Sequence, residues 1–322
     1  MATVRGVRVL VTGGGGFIGS HLAERLLERG AEVRVLDSFA TGRRENLAHL
    51  PDVELIEGDV QSFERVHHAV RGCEVVLHEA ALPSVPRSIQ DPLTTSAVNI
   101  TGTLNVLLAS RDAGVRRVVY ASSSSVYGTS GPLPKQEGQP TAPISPYAVS
   151  KLAGEGFCRS FTAIYGLECV SLRYFNVFGT RQDPSSQYAA VIPKFINAAI
   201  GGRRPVVFGD GEQSRDFTHV DNVVEANLLA MESSAGAGET FNVACGERVT
   251  LNSVLSMLGE LSGSELEPDH QPPRPGDVRH SHADIQRARD AFGYRAPVRF
   301  SEGLRRTFEQ ARAAQRESVA ST

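Results

Sequence analysis

Tyr147 and Lys151 stand four residues apart in the segment Ser145-Pro146-Tyr147-Ala148-Val149-Ser150-Lys151. Ser145 suits an N-cap and Pro146 a first helical turn, so the spacing predicts both side chains on one face of a helix. A free phenol titrates near about 10, too high for a base at neutral pH. A nearby ammonium favours the phenolate, which is the chemistry of a general base. Upstream, Ser122 to Ser125 close the run RRVVYASSSS, which reads as a buried strand. A hydroxyl at the C-terminal end of such a strand points into the ligand crevice of a parallel sheet. An isolated Tyr-x-x-x-Lys pair fits a solvated helix face better than a catalytic role, so its meaning depends on what else the chain carries.

A second feature supplies that context. The chain reads Thr12-Gly13-Gly14-Gly15-Gly16-Phe17-Ile18-Gly19 between a β-branched run, Val7 to Thr12, and a helix-like segment, Phe17 to Arg29, that Gly30 stops. Without Cβ atoms Gly13 can make the tight turn, Gly16 lets backbone approach a pyrophosphate, and Gly19 lets helix and strand pack closely. The helix N-terminus then faces the phosphate charge. Asp37 ends the next strand-like run, eighteen residues beyond Gly19. A carboxylate there accepts hydrogen bonds from an adenosine ribose and repels a 2′-phosphate, which predicts NAD over NADP despite Arg43 and Arg44 nearby. The positive charge of oxidised nicotinamide would favour the Tyr147 phenolate in the same sense as Lys151.

The elements that must position these groups follow a βαβ rhythm: EVRVLD, VELIEGD, EVVLHEAA and RRVVYASSSS, separated by helix-like segments. The expected fold is α/β, a doubly wound parallel (Rossmann) sheet with a smaller C-terminal α/β substrate-binding lobe. Residues 1–172 are expected to form the dinucleotide-binding domain, with strand and helix contributions from later segments, and 173–322 mainly the lobe. There the Gly/Pro clusters DPSS, GGRRP, GDGEQ and PDHQPPRPGD break the pattern. At 322 residues, 41% hydrophobic and 21% charged, disorder and coiled coil are excluded as overall descriptions. A net charge of -3 gives no electrostatic reason to expect a nucleic-acid partner. The four cysteines lack any Cys-x-x-Cys pair, and His280 and His282 lack a third ligand at metal spacing, so neither a disulfide framework nor a metal site is indicated. No apolar run reaches the roughly 18–20 residues of a membrane span. The expectation is a soluble, cytoplasmic protein without nucleic-acid or membrane partners.

TGGGGFIG, Asp37, Gly58-Asp59-Val60, His78-Glu79-Ala80-Ala81, Asn99, SSSSVYG, SPYAVSK and RYFNVFG occur in the order found in the extended short-chain dehydrogenase/reductase family, which the chain resembles. Within it the chain is similar to UDP-sugar 4-epimerases, most closely the bacterial UDP-N-acetylglucosamine 4-epimerase group. The finer markers are LPSVPRSIQDP, RYFNVFGTRQDPSSQYAAVIPKF, FGDGEQSRDF and RPGDVRHSHAD, which extend the likeness over almost the whole chain.

The resemblance implies NAD as cofactor, held by Gly13, Gly16, Phe17, Ile18, Gly19, Asp37, Asp59, Val60, Ala80, Ala81, Asn99, Tyr147, Lys151 and Tyr174. It makes Tyr147 the group that takes the proton from the sugar 4-hydroxyl while C4 gives hydride to NAD. Lys151 would bind the nicotinamide ribose, and Ser123, with Ser124 alongside, would hydrogen-bond O4. The 4-keto sugar then turns over and is reduced on its other face. Ser84, Asn176, Val191, Arg215, Arg274, Asp277 and Ser281 complete the implied substrate site, with the two arginines as diphosphate forks. The substrate is expected to be a UDP-hexose or UDP-N-acetylhexosamine. A homodimer is also implied, through a four-helix interface of residues 93–110 and the helix around Ala153 to Gly156.

Two details narrow the reaction. Dehydratases of the superfamily place Asp-Glu after the strand-end serine or threonine, where this chain has Ser124-Ser125, so epimerisation is the better reading. Epimerases restricted to plain hexoses carry a tyrosine where this chain has Ser281, and a lysine in the loop after Ala81 where it has Leu82-Pro83-Ser84. The small serine leaves room for a 2-acetamido group. The expected reaction is therefore UDP-GlcNAc/UDP-GalNAc interconversion with some activity on UDP-Glc/UDP-Gal. The rivals are a UDP-glucuronate 4-epimerase, with Arg181 as the carboxylate partner, and a catalytically silent NAD-binding sensor or scaffold.

Overall fold

The computed structural model describes residues 4–129, 131–183, 190–273 and 278–320, with side chains to 316. The β-branched runs become strands β1 (Arg8–Thr12), β2 (Glu32–Asp37), β3 (Glu54–Glu57), β4 (Val75–His78), β5 (Arg117–Ser123) and β6 (Glu168–Tyr174). Between them run helices α1 (Phe17–Glu28), α2 (Phe63–Val70), α3 (Val85–Gln90), α4 (Pro92–Ser96), α5 (Gly102–Asp112) and α6 (Pro146–Tyr165). Beyond β6 lie α7 (Val191–Ile200), α8 (Val220–Glu232), α9 (Leu251–Ser262), α10 (Gln286–Phe292) and α11 (Phe300–Ala320), with short strands among them.

Seven parallel strands make the central sheet, in the order Thr240–Val243, β6, β5, β4, β1, β2, β3. The period-2 alternation of each strand divides its side chains between two cores. Val9 and Val11 of β1, with Val119 and Ala121 of β5, join α1 and α8 on one face. Leu10, Val118 and Tyr120 join α2, α5 and α6 on the other. This is the expected doubly wound sheet. The chain reverses direction across the sheet between β1 and β4, and the crevice beyond their C-terminal ends is the place where such folds bind ligands.

The N- and C-terminal parts interleave. The edge strand Thr240–Val243 pairs with β6, and α8 packs in the same core as α1. A third core holds the remainder of the C-terminal part, with Phe178, Phe195, Phe217, Leu258 and Phe300 between α7, α9 and α11. The small residues of α6 pack closely, as their helix cost suggests they must. A Cβ on Gly154 would lie 2.2 Å from the Tyr120 hydroxyl, so glycine lets α6 press against β5. Deeper along the same helix, Glu155 accepts both arms of Arg173 at 2.8 and 2.7 Å and the Ser122 hydroxyl at 2.5 Å. All three residues are buried, so this contact locks α6 to β5 and β6 at fixed register.

Candidate active site

The glycine loop is crowded by backbone at Gly13, Gly16 and Gly19 and by the side chains of Val35 and Phe39 at Gly14 and Gly15. Gly13 has φ +72°, and a Cβ there would fall 2.7 Å from the Ala80 nitrogen at the end of β4. On Gly19 a Cβ would come 2.2 Å from the Gly13 carbonyl oxygen, and on Gly16 3.1 Å from that same atom. Helix α1 starts at Gly16 without a side-chain cap, so the N–H groups around Phe17 and Ile18 face the crevice end with their capacity for an anion intact. Asp37, at the end of β2, accepts the Gly15 N–H at 2.8 Å and the Phe39 N–H at 2.7 Å. Burial pushes its carboxyl above the usual range while those two N–H groups pull it back. A cradle that only glycine can line, an uncapped helix start and a carboxylate in place of a 2′-phosphate partner fit NAD, which is the cofactor.

Of the other residues expected at the cofactor, Asp59 and Val60 follow β3, Ala80 and Ala81 follow β4, and Asn99 precedes α5. Ala80 donates its N–H to Thr12 Oγ1 at 3.3 Å, and Ala81 follows, half-buried. Asp59 is engaged with Gln61, through its N–H at 2.8 Å and its side-chain amide at 3.0 Å, while Val60 is buried against Gly102. Asn99 bridges Leu82 N–H and carbonyl at 2.8 and 3.2 Å and reaches Ser150 Oγ at 3.1 Å. Its side chain fixes the loop after β4 to α6.

Ser145 caps α6 through the Ala148 N–H at 3.1 Å, with Pro146 in the first turn as the sequence predicts. Tyr147 and Lys151 then share a face, the Lys151 Nζ lying 6.0 Å from the phenol ring centroid. Lys151 is buried and donates to the Ala121 carbonyl at 2.7 Å. Burial lowers its ammonium to about 8, against the pull of Glu79 upward. Ser123 ends β5, caps the turn Ser124–Tyr127, takes hydrogen bonds from Ser125 and bonds the Tyr147 hydroxyl. Ser124 lies half-buried beside it.

The phenol departs from the sequence expectation. Burial pushes Tyr147 above its ordinary value, the Ser123 hydrogen bond lowers it, and Glu79 raises it again. A lysine at this distance does not by itself bring the phenol into the working range, because removing the phenolate from water outweighs the serine contact.

Around the dyad, Tyr174 donates to Glu79 Oε1 at 2.7 Å and accepts from Asn227 Nδ2 at 2.8 Å. Two residues on, Asn176 sits at φ +36° and donates to the Asp216 carbonyl at 3.1 Å and to Ser281 Oγ at 3.3 Å. Arg215 bonds the Ser214 and Arg279 carbonyls at 3.0 and 3.1 Å. Val191 opens α7, half-buried against the third core. Ser84, at φ +99°, caps α3 through the Arg87 N–H at 3.2 Å. Arg274 and Asp277 lie outside the described residues. Arg181 is held to α1, with Ser20 at 3.3 Å and an ion pair to Glu24. His280 meets the Ser214 hydroxyl at 2.9 Å and His282 the Gly246 carbonyl at 3.2 Å.

Sequence reasoning leaves three residues of this region without a role. Glu155 follows Lys151 by one helical turn, a signal that spacing alone could have supplied. Asp216 stands next to Arg215, fully buried; its carboxylate takes the Cys245 N–H at 3.0 Å and the Ala283 N–H at 3.1 Å. Burial carries it up to about 7, against the backbone N–H groups of Ala283, Cys245, Glu247 and Gly246 that pull it down. Glu79 lies at the end of β4, inside a segment read only for its alanines.

The NAD dependent epimerase/dehydratase family model matches residues 9–244. A UDP-glucose 4-epimerase of Mycolicibacterium smegmatis is 40% identical over 308 residues, covering 94% of this chain and 98% of that one. Among solved structures, a UDP-N-acetylglucosamine 4-epimerase from Methanobrevibacter ruminantium M1, in complex with UDP-N-acetylmuramic acid, superposes with a TM-score of 0.92. It is 38% identical, with 96% of this chain and 99% of that one covered. A UDP-glucose 4-epimerase from Thermotoga maritima, with UDP-glucose, gives the same TM-score of 0.92 and 38% identity over 96% of this chain and 100% of that one. With its glycine cradle, its Ser123–Tyr147–Lys151 cluster and this likeness along nearly its whole length, the chain belongs to the NAD-dependent epimerase/dehydratase family.

Proposed function

We propose that this protein is a UDP-sugar 4-epimerase that interconverts UDP-GlcNAc and UDP-GalNAc, with some activity on UDP-Glc and UDP-Gal. NAD, when bound, supplies the reversible hydride acceptor for C4 of the sugar. Tyr147 takes the proton of the 4-hydroxyl and later returns it, Ser123 orients O4, with Ser124 beside it, and Lys151 adds a positive charge that favours the phenolate jointly with the one oxidised nicotinamide would bring. The resulting ketone is flat at C4, so a turn of the sugar about its diphosphate presents either face. Arg215, Arg274 and Asn176 would hold the diphosphate and Asp277 the uridine ribose, while Val191 and Ser84 would border the pocket. The homodimer rests on apolar side chains that α3, α4 and α6 leave exposed, among them Leu93 at 83%, Ile164 at 68% and Ile89 at 64%. A second copy would cover them.

The observation that carries the choice of sugar is Ser281, a small side chain whose hydroxyl lies 3.3 Å from Asn176 Nδ2. A tyrosine there would fill the space an acetamido group needs. The glucuronate reading is disfavoured by Arg181, which is turned to Glu24 and Ser20 of α1. The test incubates the purified protein with UDP-GlcNAc, UDP-Glc and UDP-GlcA separately and follows each anomeric proton by NMR. Conversion to the galacto epimer, fastest with UDP-GlcNAc, is the expected result, and Ser281→Tyr should suppress that substrate more than UDP-Glc. Equal losses on both would remove the pocket argument, faster turnover of UDP-GlcA would return attention to Arg181, and no conversion of any would favour the silent NAD-binding reading.

A further inference from the structure

The mechanism so far uses one phenol and one ammonium, yet the site holds a second acid. Glu79 follows directly on β4, and its N–H bonds the Thr12 carbonyl at 3.2 Å. The glycine cradle rests on its main chain, since a Cβ on Gly13 would come 3.0 Å from the Glu79 carbonyl carbon. The neighbouring His78 points to the opposite side of the sheet, bonded to Thr12 at 2.7 Å and Thr103 at 3.0 Å. Glu79 therefore projects to the other side at the end of the sheet, where Tyr174 of β6 pins one carboxyl oxygen at 2.7 Å and Asn227 of α8 pins Tyr174 in turn at 2.8 Å. The charged and titratable groups facing it are Lys151 and Tyr147 from α6 and Tyr174 from β6.

We propose that Glu79 is a positioning residue for the epimerisation, a carboxylate fixed at the floor of the crevice that sets the charge state of the Tyr147–Lys151 pair. The inference rests on the reading of Tyr147 as the base and Lys151 as its cation. The Glu79–Tyr174 contact reaches across the end of β5, whose Ala121 carbonyl holds the Lys151 ammonium at 2.7 Å, so that cation has a compensating negative charge close by. While Tyr147 is protonated that charge resides on Glu79, and it disfavours a second one on the phenol. Burial holds Glu79 up to about 7, with Tyr174 and Lys151 pulling it down. Its ionised form raises both Tyr147 and Lys151. The acid limb of turnover, which needs the phenolate, and the alkaline limb, which needs the ammonium, are both held at higher pH than they would be without it.

Glu79→Gln keeps an oxygen for the Tyr174 hydroxyl and removes only the titrating charge. With the purified protein and its bound NAD, phenolate absorbance is titrated against pH in the wild type and in Glu79→Gln, each corrected by its Tyr147→Phe counterpart. The kcat profile is measured on whichever UDP-sugar the protein turns over. The expected result is a Tyr147 midpoint lower by about one pH unit, the scale of one nearby charge. Both limbs of kcat should move to lower pH in step, with the peak kcat kept within about threefold. A midpoint and profile that stay in place, with normal NAD content, would reduce Glu79 to a hydrogen-bond acceptor for Tyr174 and overturn the proposal; so would a shift to higher pH. The titration requires no sugar, so absent turnover would count against the functional reading while leaving the test of Glu79 intact. Should Glu79→Gln lose NAD, the same titration is run on the NAD-free forms of both proteins, in which the Tyr147 midpoint must still be lower in Glu79→Gln or the proposal fails.

Discussion

The two sides of the crevice are built by different means. On one side Ser123, Tyr147 and Lys151 come from the end of β5 and the first turns of α6, two regular elements locked together by the buried Glu155–Arg173–Ser122 contact and by Gly154 against Tyr120. On the other side Asn176, Arg215 and Ser281 come from three loops with little secondary structure of their own. Their mutual placement depends on backbone contacts: the Ser281 N–H on the Ser214 carbonyl at 2.9 Å, the Asn176 amide on the Asp216 carbonyl, and the Asp216 carboxylate on Cys245 and Ala283. The helix-and-strand side can hold a proton donor and acceptor to a fraction of an ångström, as bond-making requires. Loops tied at a few points can adjust their lining, which suits a sugar that has to be held and turned. On the proposed roles, chemistry and recognition fall on scaffolds of different stiffness, and substitutions should separate them.

The largest effect is expected at the chemical side. Tyr147→Phe removes the proton acceptor and should lower kcat about 10³-fold, within the range for lost general base catalysis. NAD content and UDP affinity, read by absorbance after denaturation and by calorimetry, should be unchanged. Unchanged turnover would end the proposed mechanism, whereas a joint loss of turnover and UDP binding would show that the two sides are not separable.

Next in size is the lock behind the dyad. Glu155→Ala leaves the Arg173 guanidinium buried without its partner, which costs about 3–5 kcal/mol of stability where a buried pair is broken on one side. Urea unfolding should show that loss, and kcat should fall with it even at temperatures where the protein stays folded, because α6 is free to shift on β5. Loss of stability with full kcat in the folded protein would mean that the dyad does not depend on this register.

How much of the molecule the sequence discloses follows the same division. The doubly wound sheet, the glycine cradle and the Tyr147–Lys151 face are legible because each rests on a periodicity or a spacing that one element enforces. Asp37 is legible for the same reason, at the end of a strand that a fixed helix length precedes. Glu79 and Asp216 escape notice because their importance comes from burial and from partners more than 25 residues away in the chain, which no local pattern encodes. The expected pull of Lys151 on Tyr147 misjudges the phenol for a related reason: charge spacing is readable from sequence, whereas the desolvation that outweighs it depends on the packed site. Ser281 stands between these cases, since its size is evident from sequence but its place beside Asn176 is a property of the fold.

The smallest expected effect tests the loop side alone. Asp216→Asn preserves size but turns an amide N–H₂ toward backbone N–H groups that now find a carboxylate oxygen, so one of the ties at Cys245 and Ala283 is lost. One lost hydrogen bond to a charged acceptor is worth about 1–3 kcal/mol, part of which appears as stability and part as looser placement of Arg215 and Ser281. KM for the UDP-sugar should rise about five- to tenfold while kcat stays within about twofold, since Tyr147, Lys151 and Ser123 are carried by other elements. Steady-state kinetics at saturating NAD would decide the point. A fall in kcat with KM unchanged would place Asp216 in the service of the reacting groups, and the contrast between a stiff chemical wall and a pliant recognition wall would have to be given up.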